Sequence, residues 1–384
     1  METGAVKSVA LCLTHACNLR CRYCYAGVKD GRSMKPDTAL RTLDFLSAQS
    51  AGPCAVTFFG GEPLLQLDLI KEVVALGKAQ YSGKFVFRMA TNGTLLTPDV
   101  LEYLRASGVY FSLSLDGSPD QQNFNRMDAT GKGSYERVDA AIDGTLAFNP
   151  YTVAVSVVTP ETVEFLAGGV KHLFGRGFRY IVQTLNYSAD WRSEDIRRLK
   201  RQYRDLAGYY YDSLKAGKKI YYSPFDSRIQ TWAQKPIERG ELCDLANSQI
   251  AIAASGRIYP CVQFVAEDDD AARENAIGDV GSGFDHVKRN WFIEQNRHDV
   301  ESCAGCALHG RCATFCGCVN WRTTGHLNQI PPLICEHERL LMPIVDRLAN
   351  KLWKSKVDLF KRKFYDKSYA VSSYIEDCLI RKVE

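Results

Sequence analysis

Eleven of the fourteen cysteines in this chain fall into two closely spaced arrays. The first array is Cys17-x3-Cys21-x2-Cys24, which directly follows a short apolar run at residues 8–13. The second array comprises Cys243, Cys261, Cys303, Cys306, Cys312, Cys316, Cys318 and Cys335. Thiolates at such separations can converge on one inorganic core, as they do in iron–sulfur clusters. Three cysteines around a four-iron core would leave one iron open to a further ligand.

Composition favours metal ligation over disulfide bonding for these cysteines. The chain shows no secretory signal and no apolar run of about 18 residues, so we expect a cytoplasmic protein with no membrane partner. In that setting cysteines are more often metal ligands, although a disulfide framework within residues 303–318 is the alternative. The formal net charge of +4 over 384 residues gives no reason to expect a nucleic-acid partner.

Strand-like and helix-like segments alternate along the first two hundred residues. The apolar, β-rich segments are 8–13, 55–59, 85–91, 110–115, 153–158 and 180–185. The helical candidates between them are 36–48, 68–79, 98–107, 135–147 and 163–174. Six strands joined by five helical crossovers predict an α/β fold in which parallel strands carry helices on the outside, either open or closed as a barrel.

Each polar or glycine-rich motif follows one of these strands. The cysteine loop follows the first strand, and residues 60–63 (Gly-Gly-Glu-Pro) follow the second. Residues 91–93 (Thr-Asn-Gly) close the third strand, and residues 114–117 (Ser-Leu-Asp-Gly) close the fourth. Because loops at the carboxyl ends of barrel strands share one rim, we expect these motifs to form a single site.

Four segments are expected along the chain. Residues 1–215 would form the barrel domain, and residues 216–242 a bridging segment. Residues 243–335 form a cysteine-rich module with few long apolar runs, so metal binding would supply much of its folding free energy. Residues 336–384 would form a basic, helical tail.

The first array resembles the signature loop of radical S-adenosylmethionine (SAM) enzymes, including the aromatic residue Tyr23 just before the third cysteine. The second array resembles the SPASM extension found in radical enzymes that mature peptides and proteins. That extension has a cysteine, a glycine about a dozen residues later (here Gly256), a further cysteine, and then C-x2-C-x5-C-x3-C and a final cysteine. The resemblance implies a partial (β/α)6 radical SAM barrel, a small SPASM domain and a C-terminal helical segment.

The resemblance also implies a cofactor site on the rim. In the family, the open iron of a [4Fe–4S] cluster chelates S-adenosylmethionine, and one electron then releases a 5′-deoxyadenosyl radical. Gly60 and Gly61 would let the backbone approach the methionine part, because a Cβ would intrude there. The residues implied to complete this site are Glu62, Pro63, Asn92, Ser114, Asp116 and Arg126. The alternatives are ordinary turns at Asn92 and Asp116 and a surface ion pair at Arg126.

Two auxiliary [4Fe–4S] clusters are implied for the second array, which makes three clusters in all. By resemblance, Cys243, Cys261 and Cys316 hold the cluster nearer the active site. The distal cluster would be held by Cys303, Cys306, Cys312 and Cys335. Cys318 resembles the closing ligand seen in the branch that contains the pyrroloquinoline quinone biosynthesis enzyme, with a free packed thiol as the alternative. Zinc is the competing metal at Cys303-x2-Cys306.

The resemblance implies an enzyme that modifies a ribosomally made precursor peptide or protein, with a carbon–carbon or thioether crosslink as the expected product. Formylglycine formation is the first competing activity. Anaerobic sulfatase-maturing relatives place an aspartate base just after the second SPASM cysteine, where this chain has Val262. A radical oxidation in small-molecule cofactor biosynthesis and a non-catalytic iron–sulfur electron carrier are also compatible with these cysteines.

Partners follow from the same resemblance. Fewer than ten residues precede the first strand, so we expect no N-terminal leader-binding domain and consider a separate leader-recognition protein in its place. Flavodoxin or ferredoxin is the expected electron donor. For contact with the substrate, the sixth strand and the bridging segment offer Gln183, Tyr222 and Asp226. Asp226 would suit a proton acceptor facing the cavity, and a helix N-cap is the alternative.

Overall fold

The protein is described by a computed structural model that covers residues 4–234, 243–297, 300–312 and 316–381. Residues 235–242 of the expected bridging segment therefore lie outside the described ranges. Within the described ranges, none of the helices combines the length and the apolar character needed to cross a bilayer.

The first two hundred residues form the α/β alternation that the sequence predicts. The strands are β1 (Ser8–Thr14), β2 (Cys54–Gly60), β3 (Phe85–Thr91), β4 (Tyr110–Ser114), β5 (Val153–Val158) and β6 (Tyr180–Leu185). The helices are α1 (Pro36–Gln49), α2 (Leu67–Gln80), α3 (Pro98–Ala106), α4 (Pro119–Asn125), α5 (Tyr135–Phe148), α6 (Leu166–Gly175) and α7 (Ser193–Lys215). All six strands and all five crossover helices are confirmed, and helix α4 is an addition.

Local capping chemistry explains several helix starts. Helices α1, α3 and α4 each have proline in the first turn, where the missing N–H costs nothing. The Thr97 hydroxyl accepts the Val100 N–H at 3.3 Å, and the Ser118 hydroxyl accepts the Gln121 N–H at 3.5 Å. Helix α4 could not be predicted from the sequence pattern, because it is only two turns long and has no long apolar stripe.

The strands form one eleven-stranded open sheet within the described ranges. Its order is β11-β10-β9-β8-β1-β2-β3-β4-β5-β6-β7. The additional strands are β7 (Tyr221–Tyr222), β8 (Gln249–Ile252), β9 (Arg257–Tyr259), β10 (Gly278–Asp279) and β11 (Gly283–Phe284). Strands β1 to β6 are parallel neighbours, and the sheet does not close on itself, which confirms the partial barrel.

Strand β8 joins the cysteine-rich segment to the barrel. It pairs with β1 in parallel, with Ser8 opposite Gln249 and Leu11 opposite Ile252. Strands β9, β10 and β11 then continue the sheet in antiparallel fashion. The second thiol array is therefore placed relative to the first array by backbone hydrogen bonds as well as by chain connectivity.

Seven further helices follow α7 in the described ranges. They are α8 (Ser223–Ala233), α9 (Asp270–Arg273), α10 (His286–Arg297), α11 (Gly317–Thr324), α12 (Pro332–Lys354), α13 (Asp358–Tyr365) and α14 (Tyr369–Arg381). The long helix α12 packs on α7 and α8. It begins at Pro332, four residues before the expected helical tail at residue 336, so Cys335 lies on its first turn.

Candidate active site

A cavity of about 880 Å³ opens at the carboxyl ends of strands β2 to β6. Its walls include many of the residues that the sequence singles out: Cys17, Cys21, Tyr23, Cys24, Gly60, Gly61, Asn92, Ser114, Arg126, Gln183 and Cys316. The rim motifs and one cysteine of the second array therefore face a common space. The Cys17–Cys24 loop forms one wall, and helices α8 and α12 contribute to the wall that carries Arg228 and His337.

The three thiols of the first array lie close enough to influence one another electrostatically. Burial raises the pKa of Cys17, and it raises the pKa of Cys21 to about 11. The Leu19 N–H donates to the Cys17 sulfur at 3.4 Å, and the Asn92 amide nitrogen lies 3.9 Å from the same sulfur. Convergent thiols that receive N–H groups are a donor set suited to an iron–sulfur cluster.

Gly60 and Gly61 allow two loops to touch. Gly60 has φ +131°, and a Cβ there would meet the carbonyl oxygen of Thr14. A Cβ on Gly61 would clash with the carbonyl oxygen of Ala16, and the Gly61 N–H donates to Thr14 at 2.8 Å. The missing Cβ atoms thus make room for the backbone that leads into the cysteine loop. The sequence suggests a different reason for glycine at these positions, namely close approach of the cofactor.

The Glu62 carboxylate is hydrogen-bonded to protein groups behind the cavity wall. Its carboxylate accepts the Thr91 hydroxyl at 2.8 Å, the Asn92 N–H at 2.8 Å and the Leu64 N–H at 3.1 Å. Burial raises the pKa of Glu62 to about 7. Neither Glu62 nor the buried Pro63 belongs to the cavity wall. The Glu62 side chain therefore braces the neighbouring loops, while contact between the backbone of this loop and a cofactor stays a prediction.

Asp116 also lies behind the wall, and it holds two residues that reach the cavity. Its carboxylate accepts the Tyr23 hydroxyl at 2.6 Å and the Arg126 guanidinium at 3.1 Å. Burial alone would lower the pKa of Arg126, but the nearby Asp116, Tyr23 and Cys21 together raise it above its usual value. The direct cofactor contact expected for Asp116 is thus corrected to an indirect one. The surface ion pair considered for Arg126 is wrong, because that side chain is only 6% exposed.

The three candidates for substrate chemistry do not share the cavity. Gln183 lines it, but its amide is bound by the Tyr222 hydroxyl at 2.5 Å and donates to the Ser156 hydroxyl at 3.2 Å. Tyr222 and Asp226 are buried and lie outside the cavity wall. The Asp226 carboxylate pairs with Lys363 and accepts the Tyr222 N–H at 2.8 Å. The expectation that Asp226 faces the cavity is therefore wrong, and so is the N-cap alternative, because the helix begins at Ser223 and Asp226 lies within its first turn.

Four cysteines of the second array converge beside the cavity: Cys243, Cys261, Cys316 and Cys318. The buried sulfur of Cys318 lies within hydrogen-bonding reach of both Cys261 and Cys316. This contact lowers the pKa of Cys316 to about 6, despite burial. Backbone N–H groups that reach these sulfurs come from Leu245, Gly317, Val262, Gln263, Cys318 and Val319. N–H groups directed at sulfur are a recurrent feature of cluster sites.

Two of the other four cysteines of the second array lie beside a smaller apolar cluster. Cys303 and Cys335 pack against Val300, Ile330 and Ile334. No group of three or more His, Cys, Asp or Glu side chains surrounds a single metal position in the described ranges. A single zinc ion needs its ligands at one point, whereas each cysteine of a cubane binds a different iron.

Comparison with known proteins agrees with the cysteine loop and the strands around it. Residues 11–167 match the Radical SAM superfamily model, and these residues span β1 to β5 and the first thiol array. The chain carries a radical SAM domain. Strand β6 and helix α7 continue the sheet and its helical cover beyond the matched region.

Proteins similar to this chain include maturation enzymes. This chain is 24% identical over 326 residues to a cysteine-type anaerobic sulfatase-maturating enzyme of Clostridium perfringens. The alignment covers 78% of this chain and 85% of the relative. It is 22% identical over 376 residues to the radical SAM cyclopropyl synthase TigE of Paramaledivibacter caminithermalis. That alignment covers 91% of this chain and 76% of TigE.

Solved structures share the fold of this chain. Native anSMEcpe with bound AdoMet aligns with a TM-score of 0.74 at 19% identity, over 89% of this chain and 99% of that one. Streptococcus suis SuiB bound to precursor peptide SuiA aligns with a TM-score of 0.60 at 15% identity, over 86% and 76%.

One polar network on the cavity wall was not predicted from the sequence. The His337 ring lies between the hydroxyls of Tyr187 and Tyr203, at 2.8 and 2.9 Å. Arg228 donates to the Glu338 carboxylate from both Nε and Nη2, and all five residues line the cavity. A signal was present: His337 and Glu338 follow the buried Ile334 by three and four positions, on the apolar stripe of α12.

Proposed function

We propose that this chain is a radical SAM enzyme that matures a ribosomally made peptide or protein, most simply by forming a carbon–carbon or thioether crosslink. The observation that carries the proposal is the common cavity, which has Cys17, Cys21 and Cys24 on one wall and Cys316 of the second array on another. A non-catalytic electron carrier has no need of an open cavity beside a three-cysteine loop.

The first thiol array would hold a [4Fe–4S] cluster. Cys17, Cys21 and Cys24 supply three ligands, and the Asn92 amide and the Leu19 N–H stabilise the Cys17 thiolate. Bound at the fourth iron, S-adenosylmethionine would supply a 5′-deoxyadenosyl radical that abstracts hydrogen from carbon. The chain's own contribution is placement, since Asp116 fixes both Tyr23 and Arg126 on the wall beside that position.

The second thiol array would hold two auxiliary [4Fe–4S] clusters in a SPASM domain. Cys243, Cys261, Cys316 and Cys318 form the set nearer the cavity, and the mutual contacts of Cys318 favour it as the closing ligand. The distal set is Cys303, Cys306, Cys312 and Cys335. A nearer cluster with four protein ligands would accept an electron from the substrate rather than bind the substrate directly, and flavodoxin or ferredoxin would serve as external donor.

Formylglycine formation is a second candidate, favoured by the similarity to cysteine-type sulfatase-maturating enzymes over 78% of the chain. That reaction needs a base near the substrate carbon. Position 262 is valine, and the neighbouring Gln263 lines the cavity without a charge. Among the described residues of the wall, the one carboxylate is Glu338, which is paired with Arg228. The crosslinking proposal therefore ranks first.

Peptide substrates are supported by the names of the relatives and neighbours. The solved structures include anSMEcpe with bound AdoMet and a Cp18Cys peptide, and SuiB bound to its precursor peptide. A separate leader-recognition protein would fit a maturase of this kind. The peptide itself would be found by testing short open reading frames encoded beside this gene.

Anaerobic reconstitution with iron and sulfide tests the proposal. We expect about twelve iron atoms per chain and release of 5′-deoxyadenosine from S-adenosylmethionine under dithionite. Cys21→Ala should abolish that release, whereas Cys378→Ala, outside both arrays, should leave it unchanged. Loss of two hydrogens from a neighbouring gene's peptide would support a crosslink. Absence of 5′-deoxyadenosine from the fully loaded chain would refute the enzyme assignment.

A further inference from the structure

The ring of His337 bridges two tyrosine hydroxyls on the cavity wall. Nδ1 lies 2.8 Å from the Tyr187 hydroxyl, and Nε2 lies 2.9 Å from the Tyr203 hydroxyl. The histidine comes from α12, Tyr203 from α7, and Tyr187 from the loop directly after β6. The bridge therefore ties two helices to the rim of the barrel.

Hydrogen-bond counting leaves at least one tyrosine proton without an acceptor. A neutral imidazole donates through one nitrogen and accepts through the other, so one tyrosine donates to it and the other accepts from it. A charged imidazole would donate through both nitrogens, so neither tyrosine proton would have an acceptor on the ring. Within the described part of the chain, neither hydroxyl has a second hydrogen-bond partner. In either protonation state, a phenolic O–H remains available.

Burial indicates which tyrosine carries the available proton. Tyr203 is 1% exposed, whereas Tyr187 is half-buried. An unpaired donor costs more where no water can reach it. The favoured arrangement therefore has Tyr203 donating to Nε2, and Nδ1–H donating to Tyr187. The Tyr187 proton is then directed away from His337 on a wall that faces the cavity.

The charged groups near Tyr187 are Arg228 and Glu338, which pair with each other, and the nearby thiols of Cys312 and Cys316 are not cationic. Asn186 and Ser188 flank it in sequence, and Ser227 lines the same cavity. The charge of Arg228 is matched by Glu338, so this wall presents no free cation to a carboxylate. Such a surface suits an uncharged acceptor, and the commonest uncharged acceptor in a peptide is its backbone carbonyl.

We propose that the Tyr187 hydroxyl is a substrate-binding donor for a backbone carbonyl of the peptide, held in place by His337 and Tyr203. The substrate class rests on the proposed function, while the donor itself follows from the hydrogen-bond count. Tyr187 would set where the peptide lies relative to the Cys17–Cys24 loop, and so which hydrogen is removed.

The test uses the anaerobic, iron-loaded full chain and saturation-transfer NMR. The probe is N-acetyl-L-alanine methylamide, which has two backbone carbonyls and no charge, and N-acetyl-L-alanine serves as the anionic counterpart. Tyr187→Phe should weaken binding of the amide about fivefold to tenfold, the value of one hydrogen bond. Tyr203→Phe should weaken it by a smaller factor, because His337 can then accept the Tyr187 proton in part of the molecules. Tyr211→Phe, whose hydroxyl donates to Ser355 outside the cavity wall, is the matched control and should leave it unchanged.

A fluorinated tyrosine at position 187 gives a second measurement that does not depend on how Tyr187→Phe folds. It keeps the ring and strengthens the donor, so the amide should bind more tightly. Equal binding in wild type and Tyr187→Phe, preference for the anion, or a loss in Tyr203→Phe as large as in Tyr187→Phe would overturn the proposal. Failure to release 5′-deoxyadenosine would count against the proposed function and leave this binding result standing.

Discussion

The phenol of Tyr23 donates to the carboxylate of Asp116 at 2.6 Å and so ties the cysteine loop to the end of β4. The other oxygen of this carboxylate accepts the Val157 N–H at 3.0 Å and the Arg126 guanidinium at 3.1 Å. One fully buried carboxylate thus positions a loop and an arginine at the cavity wall.

Replacing Asp116 by asparagine should strongly destabilise the chain. The substitution leaves the buried Arg126 cation without its counter-ion, and breaking a buried pair typically costs about 3–5 kcal/mol. The thermal unfolding midpoint and the iron content of Asp116→Asn should both fall. Asp128→Asn is the matched control, because its ion pair with Arg137 at 3.2 Å is partly exposed and screened by solvent. Equal effects of the two substitutions would contradict this account.

Gly61→Ala should disturb the first thiol array without touching a cysteine. The added Cβ would clash with the Ala16 carbonyl oxygen, and that oxygen already accepts the Glu62 N–H at 2.9 Å. Because backbone cannot yield as a flexible side chain does, we expect the cysteine loop to shift and iron binding to weaken. Iron analysis after reconstitution measures the effect. Gly31→Ala, where a Cβ meets nothing within 4 Å, should load iron like the wild type.

The strands and the rim motifs could be predicted because their signals are local. Apolar runs, glycine pairs and cysteine spacing all lie within a few residues of one another, and the parallel α/β order then brings their loops together. Residues such as Asn92 and Ser114 reached the cavity for this reason.

Side-chain direction could not be predicted in the same way. Asp116 and Asn92 both follow strands, yet Asp116 turns behind the wall, where the Val157 N–H and Arg126 meet it. The β1–β8 pairing joins residues about 240 positions apart through a four-residue strand, so no local pattern could reveal it. His337 reached the site through the packing of α12 against α7, which is likewise non-local.

The buried carboxyl of Glu62 should make stability depend on pH. Burial raises its pKa from 4.5 to about 7, so between these values the folded state binds a proton that the unfolded state has lost. Stability from this group is therefore fully present below pH 4.5 and is lost as pH rises through about 7, by roughly 3 kcal/mol. Glu62→Gln should flatten that part of the pH–stability curve. An unchanged curve in the variant would show that other groups cause the dependence.

Cys318→Ala tests the closing ligand of the nearer auxiliary cluster. Cys318 contacts both Cys261 and Cys316, so its removal should leave a cluster with one open iron or lose that cluster, at most about four iron atoms per chain. Electron paramagnetic resonance should show an altered auxiliary signal beside an intact signal from the first array. Cys54→Ala, a buried thiol in β2 outside both arrays, is the control and should resemble the wild type. If the two variants give identical spectra, Cys318 is a packed thiol and not a ligand.

The pair formed by Asp226 and Lys363 should behave as a structural unit. Burial raises the pKa of Asp226, and the Lys363 ammonium opposes that rise. Lys363→Met leaves the carboxylate buried and unpaired, which should cost about 3–5 kcal/mol. Adding Asp226→Asn to that variant should recover part of the loss, because no unpaired charge remains, so the double variant should be less destabilised than the sum of the single ones. Thermal unfolding of all four proteins measures the coupling. Additive effects, together with full stability and lost product formation in Asp226→Asn alone, would instead return Asp226 to a role in the reaction.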